Sequence, residues 1–283
     1  MRVFGDRSFD LVLDAAHRPF QSNESVAGCI DIKIAWVQEI PRTQGRKLFD
    51  SGTTWHLYQD EGGFQFDFGN PVSSGWLNRR LSVDLNFSNA TLQMSERYFS
   101  MYPQVIEPLG YPLDELLIMH RLTQEKAIEL HGAGIVHASG AANLFVGHSG
   151  AGKSTTTRLW TSREEVEVLS DDRIIVRSDV SCRNGMRMYG TPWHGEAMYA
   201  SPNSAALTRI VILEHGHGNV LKLLSPSQAV AELFARSFVP FHRHEYVESA
   251  LTFLEELVAS VPVYRFSFEP DMPAVDTILH LRD

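Results

Sequence analysis

The chain has 283 residues, 43% of them hydrophobic, enough to bury one large core or two modest ones. Its net charge of −9, with no long run of Lys or Arg, excludes a general nucleic-acid binder, which must neutralise many phosphates. No stretch approaches the roughly 18 uninterrupted apolar residues of a membrane span, no apolar leader opens the sequence, and Cys29 and Cys182 form no C-x-x-C pair, so a cytoplasmic protein without membrane attachment is expected.

From the N-terminus, the chain first favours strands. Residues 30–37 alternate in part, 54–58 and 64–68 flank a turn-like Asp60-Glu61-Gly62-Gly63, and 81–87 alternate again, which predicts an antiparallel meander. The alternating aromatics of these runs either pack a core or present a peptide-binding face. Pro103, Pro108 and Pro112 then punctuate the chain before an apolar-periodic segment that predicts a helix over 113–130. A domain boundary is expected there, with a β-rich substrate- or partner-recognition domain over 1–110 and a nucleotide-binding domain over 111–283, an α+β / α/β protein overall.

Residues 147–154 read Gly-His-Ser-Gly-Ala-Gly-Lys-Ser, a complete G-x-x-x-x-G-K-[ST] phosphate-binding loop. Gly147, Gly150 and Gly152 let the backbone curl around a polyphosphate, with His148, Ser149 and Ala151 between them. Lys153 is expected beside the β and γ phosphates of ATP. The Ser154 hydroxyl is suited to ligate Mg2+, and Thr155 continues into a helix whose positive end faces the phosphates. The flanks fit the motif, because 142–146 form a short, mostly apolar run suited to a buried strand and 153–162 contain no Gly or Pro to interrupt a helix.

The next strand is expected at 166–170 and ends in Asp171-Asp172. Carboxylates at the end of a core strand lie on the rim where ligands collect in open α/β sheets. One can hold magnesium, assigned here to Asp171 with Ser154, and the other can accept the proton of an attacking hydroxyl, assigned to Asp172. Exchanging the two roles leaves the same pair-level behaviour, and a plain turn between 169 and 174 is the structural alternative. The remainder reads as a strand at 210–213, helices at 227–236 and 245–258, and a strand at 263–268.

Leu130-His131-Gly132, the phosphate loop, and Leu169-Ser170-Asp171-Asp172-Arg173 together resemble the HPr kinase/phosphorylase family, whose core is shared with ATP-dependent phosphoenolpyruvate carboxykinases. The similarity covers residues 113–215. The resemblance implies a kinase acting on a serine of a protein or precursor peptide, with His131 at the phosphorylated-serine site and Asp172 as proton acceptor; hexamers occur among the resembled enzymes, so a homo-oligomer is compatible. The Glu-x-Arg-Gly signature of the bifunctional enzymes has no counterpart at 187–196, which disfavours phosphorylase activity. The Gly-Thr-Pro-Trp segment at 190–193 instead resembles HPr-kinase-like proteins that phosphorylate precursor peptides.

Several assignments stay open. At the end of a predicted helix, His131 can instead cap carbonyls. Thr191, Pro192, Trp193 and His194 form either a loop closing over ligand or a structural turn, and Glu196 is a candidate metal ligand. His215-x-His217 and His242-x-His244 lack a carboxylate or Cys at zinc spacing, so surface roles are expected for them. A kinase of a free amino acid or sugar, and a nucleotide-binding regulatory module, are the alternative functions.

Overall fold

The computed structural model describes residues 1–5, 12–13, 15–24, 28–52, 54–69, 77–101, 107–163 and 165–281. The protein is of mixed α/β class, with two mixed sheets and six α-helices among the described residues. It divides into two compact units, Met1–Asp14 with Ser22–Arg121 and Ala15–Gln21 with Leu122–Asp283.

The first unit contains β1 (Arg2–Gly5), β2 (Asp31–Val37), β3 (Arg46–Asp50), β4 (Trp55–Gln59), β5 (Phe64–Gly69), β6 (Leu77–Val83), β7 (Asn89–Ser95), α1 (Glu96–Met101) and α2 (Leu113–Leu122). Its seven strands lie in the order β1-β2-β7-β6-β5-β4-β3. The meander read from sequence holds for β3 to β7, but β1 and β2 join in parallel, β2 against β7. The register lines up Leu57, Phe66, Leu81, Leu92 and Ile34 across five strands, and all five side chains are buried. That alignment fixes the pairing, because a slip of one residue would turn every one of them to the other face.

Phe64, Phe66 and Phe68 belong to this core, so the alternation on β5 marks packing rather than a peptide-binding face. Leu113, Leu116 and Leu117 of α2 pack into the same cluster, which carries the first unit to Arg121 instead of 110. The predicted helix over 113–130 therefore stops at Leu122. Its second half is strand, since Ala127, Ile128, Glu129 and Leu130 are all buried in succession, and a short apolar run does not by itself distinguish a buried strand from a helix. Of the three punctuating prolines, Pro103 lies outside the described residues.

The second unit contains β8 (Ala127–His137), β9 (Ala142–Val146), α3 (Lys153–Arg163), β10 (Val166–Ser170), β11 (Arg173–Ser178), β12 (Met186–Tyr189), β13 (Ser204–Ala206), β14 (Arg209–His215), β15 (Val220–Leu223), α4 (Pro226–Phe234), β16 (Ser237–Phe238), α5 (His244–Ser260), β17 (Val263–Phe268) and α6 (Met272–Leu279). β9, β14 and β17 run parallel, while β8 is antiparallel to β9, β10, β11 and β16. Helices cover both faces of the parallel part. Leu144, Val146, Ile210 and Ile212 pack with Leu233 of α4 and Leu254 of α5, whereas Phe145, Val211 and Leu213 pack with Trp160 of α3 and Val275 of α6. Burial on both faces explains why residues 144–146 of β9 and 210–213 of β14 read as unbroken apolar runs. No described helix is long and apolar enough to cross a membrane.

Candidate functional site

The long strand β8 organises the site. On one edge its second half pairs with β9, ending at Gly132 opposite Val146, and its first half pairs with β16. On the other edge β10 and β11 form one ribbon along β8, interrupted at Asp171-Asp172, with a register shift between Val168 and Ser170. Bulges of this kind re-aim side chains and recur beside functional sites. The loop that follows Val146 and the two aspartates thus flank the same point of β8. Gly132 N–H donates to the Asp172 carbonyl at 3.0 Å. His131, next to it, is a mid-strand residue and not a helix terminus, which removes its helix-capping alternative.

The Gly147–Ser154 loop has the expected strand before it and helix after it. Gly147 is buried at the end of β9, His148, Ser149 and Gly150 are exposed, and Lys153, Ser154 and Thr155 open α3. Gly152 has a φ of +100°, and a Cβ there would lie 2.7 Å from Phe268 Cζ, so both backbone and packing demand glycine. The Lys153 ammonium folds back over the loop and donates to the carbonyls of Gly147 at 3.0 Å and His148 at 3.2 Å. Burial pushes its pKa down; the nearby charges of Asp172 and Asp171 act the other way, and those of Arg173 and Arg236 reinforce the burial.

Asp172 is partly exposed, with Oδ1 2.9 Å from His131 Nε2 and Oδ2 paired with Arg173 Nη1. Burial raises its pKa, but the hydrogen bond from His131 and the charges of Arg173, His131 and Lys153 outweigh burial and hold the carboxyl below its ordinary value. It is therefore an ionised acceptor at neutral pH. Arg173 is itself held, its guanidinium 4.1 Å above the Phe238 ring and its Nε 3.5 Å from Glu129 Oε1.

Asp171 differs sharply from its neighbour. It is 2% exposed, and its carboxylate accepts three backbone N–H bonds: Oδ1 from Gly195 at 2.9 Å and Tyr199 at 3.2 Å, Oδ2 from Ala197 at 2.9 Å. Both oxygens bond to the 195–199 loop, Oδ1 twice and Oδ2 once, an arrangement that favours a loop-anchoring role over the magnesium-ligand role expected for Asp171 from sequence. Gly195 must be glycine, because a Cβ would meet Asp171 Oδ2 at 2.9 Å. The same segment is fastened elsewhere: Ser170 Oγ donates to the Trp193 carbonyl at 3.0 Å and Thr191 Oγ1 to the Arg173 carbonyl at 2.7 Å. Thr191 and Trp193 are buried, which favours the structural-turn alternative, and Glu196 is exposed on the loop. Among the described residues no group of three or more His, Cys, Asp or Glu converges to hold a metal.

Two residues at the site have no sequence motif to announce them. Arg236 follows α4; its carbonyl accepts from His131 N–H at 2.8 Å, and its Nη2 lies 2.9 Å from His148 Nε2 on the glycine-rich loop. His215, at the end of β14, lies with Nε2 2.7 Å from the Gly150 carbonyl and its ring over Phe268, which ties down the other side of the loop. Finding either from sequence requires knowing that β16 and β14 end beside the loop. His217 is fully exposed, and His242 and His244 contact Tyr246 and Glu248 respectively.

The resulting cluster places the cations of Lys153, Arg173 and Arg236 around a glycine-rich turn, with the carboxylate of Asp172 facing His131. Such a cluster can hold a polyanion and accept a proton next to it. Compared with known proteins, the chain matches no family model and no curated protein.

Proposed function

We propose that the protein is an ATP-dependent kinase that transfers the γ-phosphate to a hydroxyl, with a serine of a protein or peptide as the acceptor class. The observation that carries this reading is the convergence of the 147–154 loop and Asp172 on one point of β8, His131-Gly132. The resemblance to HPr kinases, and to the phosphate-loop core they share with phosphoenolpyruvate carboxykinases, supports it.

In this mechanism Lys153 exchanges the loop carbonyls for phosphate oxygens, an exchange made favourable by its burial. Arg236 and Arg173 balance the charge of the transferring group. The acceptor hydroxyl hydrogen-bonds to Asp172; as its oxygen bonds to the γ-phosphorus, the bond to the β–γ bridging oxygen breaks, ADP leaves and the proton passes to Asp172. His131 and Arg173 orient that carboxylate and keep it ionised beforehand. Magnesium accompanying the nucleotide would neutralise its phosphate oxygens, with the Ser154 hydroxyl as protein ligand. Asp171 holds the 195–199 loop against the site.

The test is transfer of labelled γ-phosphate to a panel of serine peptides, an HPr-type protein and free serine, beside Lys153→Ala. Label on a peptide or protein in the wild type alone supports the reading. Label on free serine assigns a small-molecule kinase, and tight ATP binding with no labelled acceptor assigns a nucleotide-binding module.

A further inference from the structure

We propose that Glu232 is a positioning residue that presets Arg236 for the third phosphate of the nucleotide, so that the site separates ATP from ADP; this rests on the nucleotide reading above. Arg236 is fixed first through its main chain, with its N–H donating to Leu233 at 3.0 Å and its carbonyl accepting from His131 at 2.8 Å. Because the His131 side chain meets Asp172, this docking puts Arg236 at the end of the site where the proton is taken. The phosphate nearest to that end is the one transferred.

The side chain is 6% exposed and held from two directions. Nη1 donates to Glu232 Oε2 at 2.5 Å and to the Glu232 carbonyl at 2.8 Å, while Nη2 lies 2.9 Å from His148 Nε2. The two holds are unequal. A part-buried guanidinium–carboxylate bond is charge-assisted, whereas an imidazole nitrogen is a neutral acceptor that a phosphate oxygen outcompetes. His148 therefore marks the place a phosphate oxygen takes, and Glu232 is the hold that persists. The Nε of Arg236 is buried without a hydrogen-bond partner among the described residues, so the guanidinium retains an unused donor.

An i,i+4 pair on an open helix surface would orient little. Here Glu232 is pinned on its far side as well. Its Oε1 accepts from Arg265 Nη2 at 2.5 Å, and Arg265 Nε lies 3.1 Å from Glu214 Oε1. The chain Glu214, Arg265, Glu232, Arg236 thus links β14, the middle of β17 and α4 to the loop and leaves the Glu232 carboxylate one orientation in which both arginines are served.

Calorimetric titration with Mg·ATP and with Mg·ADP tests the proposal on the wild type, Glu232→Gln, Arg265→Met and Arg236→Lys. The expected result is at least a tenfold loss of ATP affinity in Glu232→Gln with ADP affinity within twofold of wild type, the same pattern in Arg236→Lys, and a smaller loss of the same sign in Arg265→Met. A merely structural role would weaken both nucleotides together and lower the melting temperature. Equal losses, no loss, or a wild type that does not prefer ATP overturns the proposal while leaving the kinase reading standing. A wild type that binds neither nucleotide overturns both.

Discussion

Asp171 distinguishes a loop anchor from a metal ligand, and the two roles respond differently to substitution. Asp171→Ala removes the acceptor of three N–H groups, those of Gly195, Ala197 and Tyr199. Each would cost about 1–3 kcal/mol if it stayed buried and unpaired. Opening of the 195–199 loop to water limits the sum, so a loss of about 2–4 kcal/mol in folding stability is expected. Asp171→Asn keeps one acceptor oxygen but turns an amide donor toward one of the N–H groups, for a loss of about 2 kcal/mol. Urea unfolding measures the stability change, and the magnesium dependence of ATP binding is read on the same variants. The anchor role predicts destabilised variants whose magnesium requirement moves less than about threefold. An Asp171→Asn protein as stable as wild type, needing tenfold more magnesium, would refute the reasoning and restore the metal-ligand role.

Two further consequences are open to measurement. In the first unit Asp67 and Arg80 form a buried pair, with Oδ1 2.5 Å and Oδ2 2.9 Å from the guanidinium and Thr43 bonded to the same carboxylate. Asp67→Asn leaves Arg80 without its counter-charge and should cost about 3–5 kcal/mol in thermal unfolding; a variant that melts with wild type would show the pair to be dispensable. Burial, reinforced by the Arg243 charge, depresses His242 to about 4. Its neutral form is favoured in the fold, so its contribution to stability is intact above an unfolded value of about 6.5 and is lost as pH falls toward about 4, amounting to on the order of 1 kcal/mol after solvent screening. His242→Gln should flatten the stability–pH curve in that window, and an unchanged curve would contradict the assignment.

The parts of the fold legible in sequence were those with local causes. Ala142–Val146 and Val166–Ser170 are bounded by loop signals and carry apolar residues, and both lie where the pattern placed them. The helix after the loop begins at Lys153 because its glycines stop there. What escaped depends on distant partners. Residues 127–130 became strand because β11 and β16 pair with them, a fact absent from their own periodicity. Asp171 and Asp172 are identical in local chemistry, and only the return of residues 195–199 gives one to a loop and leaves the other with His131. Arg236 reaches the site through β16, which is two residues long and has no sequence signature.

In the proposed mechanism the work of the site is divided between a phosphate-holding lysine and a proton-accepting aspartate. The measurement that tests this division most directly compares ATP affinity and single-turnover transfer to a serine acceptor in wild type, Lys153→Ala and Asp172→Asn. The proposed mechanism predicts that Asp172→Asn binds ATP within a few-fold of wild type yet transfers at least about 100-fold more slowly, while Lys153→Ala loses affinity and transfer together. Undiminished transfer in Asp172→Asn, or undiminished ATP binding in Lys153→Ala, would contradict it.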